Sequence, residues 1–147
     1  MLSSSRFVVA IHALSVIARA GGRGPVCSTV VAQSVNTNPV VIRRILCELS
    51  RAELITSQTG AGGGSKLARK PNQITLLDVY RIVEGGDVFA LHHQPPNRRC
   101  FVGSHIGAVL EEVLEEVNLT VERVLAKITI EQVLRSLQAG TRSRKKG

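Results

Sequence analysis

Residues 60–66 read Gly-Ala-Gly-Gly-Gly-Ser-Lys. A glycine-rich run ending in lysine is one of the few short patterns with a chemistry of its own: amides freed of side chains cradle a phosphate, and the lysine neutralises it. Such a nucleotide loop needs a glycine just before the lysine, a hydroxyl just after it, and a helix starting there so that amides and dipole converge. Ser65 stands in the glycine's place and Leu67 in the hydroxyl's, and only Leu67 to Lys70 precede Pro71, too short a run for a helix. A dinucleotide-binding G-x-G-x-x-G also fails, at Ser65. What remains is a mobile turn between two strands, one that comes close to phosphates through Lys66, Arg69 and Lys70.

The other reactive side chains are sparse. Cys27, Cys47 and Cys100 are widely spaced and form no CxxC, which points to neither a disulfide framework nor a zinc knuckle. Cys100 follows Arg98 and Arg99, whose charges favour a thiolate, so it is either a thiol sensor or a plain loop cysteine. Cys47 shares a helical stripe with Val40 and Arg44, where an adduct would obstruct whatever the stripe touches; an inert, partly packed thiol is its plainer reading. His92, His93 and His105 read as solvated loop histidines. No Ser/His/Asp set or carboxylate pair stands out, so neither catalysis nor a metal site is expected.

Aromatic residues make up 3% of the chain and tryptophan is absent, which argues against stacking platforms for single-stranded nucleic acid. The net charge of +8 suggests a polyanionic partner. Its distribution is more telling: ten Lys or Arg against three acids up to residue 81, five against eight between 82 and 139, and four more cations in the tail. The stretch RFVVAIHALSVIARA imitates a signal peptide, but Phe7, Val8, Ile11, Leu14, Ile17 and Ala18 recur at helical spacing, as in a domain helix. No segment reaches membrane-spanning length, and a cytoplasmic protein is expected.

The elements that must position these residues follow from their punctuation. A helix from about Ser5 to Arg19 stops at AGGRGP. Ser28 is expected to cap a short helix over TVVAQSV, and NTN turns the chain. Asn38 then caps a helix with Pro39 at its first position. Ile42, Ile45, Leu46 and Leu49 fall on one face of it, and Val40, Arg43, Arg44, Cys47 and Arg51 on the other. Two helices joined by a short turn, the second with outward arginines, form a helix-turn-helix. The strands around the glycine run make a hairpin beside it, hence a wing. A helix capped by Thr75 and Asp78 ends at Gly85. From Ser104, the residues Ile106, Leu110, Val113, Val117, Val121, Val124 and Ile128 trace a near-heptad seam on a helix of about 24 residues, roughly 36 Å. A last short helix ends near Gln138.

On the stretches RFVVAIHALSVIA, VAQSVNTNPVVIRRILCELSRAELI and GAGGGSKLARKPNQITLLDVYRIVEGG, the chain resembles the Rrf-type winged-helix regulators of bacteria over about residues 5–138. The resemblance implies a mainly α (α+β) fold: a winged helix-turn-helix DNA-binding domain over 1–86, a sensor loop over 87–103, dimerisation helices over 104–138, and a basic disordered tail over 139–147. It implies a homodimer, paired through the seam Ile106, Leu110, Val113, Val117, Val121 and Val124, that represses transcription from an inverted-repeat operator in double-stranded DNA. A protein partner or a small ligand as controlling signal is the alternative. Cluster-binding members carry three cysteines before the long helix, whereas this loop holds Cys100 alone, so no iron-sulfur cluster or other cofactor is expected. Thr59 and Ser65 also stand where many members have Arg and Tyr. The expected DNA contacts are Ser28, Thr37, Asn38, Pro39, Val40, Arg43 and Arg44 from the helices and Lys66 and Arg69 from the wing, with Cys100 as sensor.

Overall fold

The computed structural model describes residues 4–144, with side-chain environments over 4–140. The first helix, α1 (Arg6–Ala20), buries Ala10, Ala13, Leu14, Ile17 and Ala18. It stops at Gly21, whose left-handed backbone (φ 47°) returns an amide to the Ala18 carbonyl. Val8 was expected on the packed face and is instead 64% exposed, because the buried stripe runs through the small Ala10 and Ala13, where neighbouring helices come close. Helices α2 (Ser28–Val35) and α3 (Pro39–Arg51) follow, joined by a turn in which Asn36 adopts φ 60°. Asparagine tolerates that region better than most residues.

Strands β1 (Ile55–Gln58) and β2 (Gly64–Leu67) pair antiparallel, with Ile55 opposite Leu67 and Gln58 opposite Gly64. A further rung ties this hairpin to the α1–α2 link: Val26 and Ser65 exchange amide-to-carbonyl bonds of 2.9 and 2.8 Å. After a 3-10 turn over Pro71–Gln73 comes α4 (Leu76–Val83). Its capping box is formed as expected: the Asp78 amide donates to Thr75 Oγ1 at 3.1 Å, and the Thr75 amide donates to Asp78 Oδ2 at 3.0 Å.

The chain divides into two compact units, residues up to 85 together with those from 126, and residues 86–125. The core of the first contains Leu14, Val31, Ile42, Ile45, Leu49, Leu54, Ile55, Ile74, Val79 and Ile130. Its last helix, α6 (Ile130–Arg144), packs on α1. The Leu76 amide donates to the Ile128 carbonyl and the Ile130 amide to the Ile74 carbonyl. This corrects the expected partition at two places. Residues 126–138 fall in the first unit rather than with the long helix, and Ile130 is fully buried there. The tail, expected to be irregular from 139, is helical to Arg144; the remainder of it lies outside the described residues.

In the second unit, α5 (Phe101–Ala126) begins at Phe101 rather than Ser104, so the preceding loop closes earlier than expected. The Asn97 carbonyl accepts the Cys100 amide and the Cys100 carbonyl accepts that of Ser104, which carries the helical turn back past Ser104. Asn118 Oδ1 holds the loop by accepting the Val88 amide at 3.0 Å. No residue of α5 is buried. Among the described residues no helix is long and apolar enough to cross a membrane.

Candidate nucleic-acid interface

The geometry of α3 starts at its cap. Asn38 Oδ1 accepts the Val40 amide at 2.9 Å, and Pro39 occupies the first helical position, where no amide donor is needed. Ile42, Ile45, Leu46 and Leu49 are then all buried, while Arg43, Arg44, Cys47 and Arg51 are exposed and Val40 is 45% exposed. Thr37 and Pro39 are half-buried in the turn. A helix held rigidly by one apolar face thus presents a row of guanidiniums on the other, the form of a reading helix. In the last turn of α3, Glu48 pairs with Arg6 of α1.

The structure brings only part of the expected contact set together. Arg43, Cys47 and Arg51, one helical turn apart, form a wall of a cleft of about 530 Å3. The hairpin residues Ser57, Gln58, Thr59 and Gly63 to Ser65 line another side, and Cys27 and Ser28 of α2 close it. Lys66 and Arg69 line a different depression, of about 250 Å3, with Gly21, Gly22 and Gly24 after α1. The cause is strand alternation: Ser65 points inward and is buried, so its neighbour Lys66 faces the other way. Wing and helix therefore offer two separate sets of cations.

Ser28 is not the cap of α2. Cys27 holds that position in extended conformation (φ −75°, ψ 151°), and its carbonyl accepts the Val30 and Val31 amides. The Val26–Ser65 rung keeps the chain extended up to Cys27, and the helix starts at Ser28, one residue earlier than a Ser28 cap implies. Ser28 is the first helical residue and lines the cleft. Cys27 is exposed, with Sγ 2.7 Å from Thr29 Oγ1. The Thr29 hydroxyl lowers its thiol from the ordinary value, helped by the Val30 amide, opposed by desolvation and helped again by the Thr29 amide. Sequence reasoning passed over Cys27, although its place just before a short helix was a signal for an activated thiol.

Cys100 is exposed at the head of α5. Along α5, Ile106, Leu110, Val117 and Val121 are half-buried, and Val113 and Val124 are more than half exposed. An iron-sulfur cluster needs three or four converging donors. Among the described residues no three His, Cys, Asp or Glu side chains converge. Cys27 and Cys47 belong to one unit and Cys100 to the other.

The family profile described as "Rrf2: Iron-dependent Transcriptional regulator" matches residues 3–136. The chain is 40% identical over 134 residues to YwnA of Bacillus subtilis, a candidate HTH-type transcriptional regulator, covering 91% of this chain and 98% of that protein. It is 30% identical over 105 residues to the HTH-type transcriptional regulator CymR of the same organism, covering 70% and 75%. The structure of IscR from T. potens superposes with a TM-score of 0.71 at 26% identity, over 93% of this chain and 88% of that one. The winged helix-turn-helix head, the helix after it and these likenesses agree: the chain belongs to the Rrf2 family of transcriptional regulators and is not an enzyme.

Proposed function

We propose that the protein is a homodimeric repressor that reads an inverted-repeat operator with α3. The observation that carries this reading is the division of α3 into a buried Ile42, Ile45, Leu46 and Leu49 face and an exposed face bearing Arg43 and Arg44. An arginine in the major groove pairs bidentately with guanine, worth about 1 to 3 kcal/mol of discrimination for each good pair. Thr37, Asn38, Pro39 and Val40 open the helix toward the bases, and Ser28, Lys66 and Arg69 serve the phosphates, which position the head without reading sequence. Pairing of α5 along Ile106, Leu110, Val113, Val117, Val121 and Val124 sets two heads about a two-fold axis. Half-sites then lie about one helical turn, or a multiple of it, apart. Cys100, exposed at the head of α5, is the thiol through which peroxide weakens binding.

Footprinting the protein's own promoter region, with and without peroxide, tests this. Purified protein alone protects an inverted repeat; a requirement for a second protein would point instead to a partner-controlled regulator. Arg43→Ala loses preference for the site over random DNA by about tenfold or more. Lys66→Ala weakens all DNA alike and reduces the salt slope by about one. Equal loss on both DNAs for both variants overturns that division, and a Cys100→Ser protein that still responds to peroxide removes Cys100 from the reading.

A further inference from the structure

We propose that the cleft between α2, α3 and the hairpin is a covalent modification site, in which Cys27 takes up half of a carboxylate-bearing low-molecular-weight disulfide and the adduct displaces DNA. The DNA-displacing part rests on the reading of α3 as the recognition helix. Two thiols, Cys27 and Cys47, and two guanidiniums, Arg43 and Arg51, line this one cavity, and no Asp or Glu does. Neither arginine has an ion-pair partner among the described residues: Glu48 is taken by Arg6. Two unneutralised guanidiniums within one wall form a site for carboxylates. The volume of about 530 Å3 falls in the usual small-molecule range of roughly 300 to 1,000 Å3.

Of the two thiols, Cys27 is equipped to react. The Thr29 hydroxyl lies 2.7 Å from its sulfur, at the N-terminus of α2, and both hydroxyl and helix favour the thiolate. The thiolate attacks one sulfur of R–S–S–R. A Cys27–S–S–R bond forms as the original S–S bond breaks, and the expelled RS− leaves as thiol after taking a proton from water. Cys27 is thereby oxidised and half of the small disulfide reduced. The retained R group places carboxylates beside Arg43, where they compete with DNA for its charge and repel phosphate.

The test uses the full-length reduced protein with oxidised glutathione and with cystamine, a cationic disulfide of similar reactivity. We expect one glutathionyl adduct, mapped to Cys27 by mass spectrometry, forming several-fold faster than the cystamine adduct. Operator affinity then falls about tenfold or more, as expected for loss of the guanine pairing assigned to Arg43, and dithiothreitol restores it. Cys27→Ser binds the operator as the reduced wild type does and ignores glutathione disulfide. Cys47→Ser and Cys100→Ser still respond to it, and Arg51→Gln removes the preference for the anionic disulfide. An adduct mapped elsewhere, an internal disulfide without retained glutathione, equal rates for the two disulfides, or a Cys27 adduct without loss of DNA each overturns the proposal. If the reduced wild type binds no operator, the recognition-helix reading fails, while the location and charge preference of the adduct still decide whether the modification site exists.

Discussion

Gly64 shows how a single residue builds the wing. Its backbone lies at φ 153°, and a Cβ there would meet the Val26 carbonyl carbon and oxygen at 2.5 Å. Only glycine lets the β2 backbone reach the α1–α2 link closely enough for the Val26–Ser65 rung. Gly60 also has positive φ, but nothing lies within 4 Å of its would-be Cβ. Gly64→Ala therefore costs about 1 to 3 kcal/mol, clearly more than Gly60→Ala, measured as urea midpoints at unchanged slope. Comparable costs at both positions would mean that the close approach to Val26 does not matter. The same rung holds the chain extended up to Cys27, which caps α2 in place of Ser28. Glycine richness in the loop was plain in the sequence, but the need for glycine at 64 depends on a neighbour almost forty residues away in the chain.

Elements with local punctuation were legible without coordinates. The Asn38 cap with Pro39, the four buried residues of α3, and the Thr75–Asp78 capping box all arise from contacts within one helical turn or one helix face. Thr75→Ala removes an acceptor for the Asp78 amide and is expected to cost about 0.5 to 2 kcal/mol in thermal or urea unfolding. Thr75→Ser should recover most of that loss, because it keeps the hydroxyl; failure to recover would assign the loss to the methyl group's packing. Less legible were the elements defined by what lies across from them. The sequence grouped Lys66 and Arg69 with the recognition helix, yet the orientation of β2 gives them a depression of their own beside the end of α1. Val8 repeats at helical spacing and is still exposed, since a period identifies a stripe but not its edges.

For the whole molecule, the outstanding feature is α5, a helix of 26 residues with none buried. Val109, Val113 and Val124 are each more than half exposed, an apolar stripe that the proposed pairing of two chains would cover. We expect Val113→Glu with Val117→Glu to convert a dimer into a monomer in sedimentation equilibrium at micromolar concentration. Thermal stability of the head should change little, and affinity for the full inverted repeat should fall toward that for one half-site. A wild-type monomer under the same conditions overturns the pairing. The sequence by itself determined the helix-turn-helix, the wing and the long amphipathic helix, because caps, turns and periodicity act over a few residues. It also set the concentration of positive charge in the first half of the chain. Only tertiary structure decided that α6 packs with the head and that Cys27, Cys47, Arg43 and Arg51 share one cleft. Those placements follow from backbone pairing and burial between segments far apart in the chain, which no local pattern encodes.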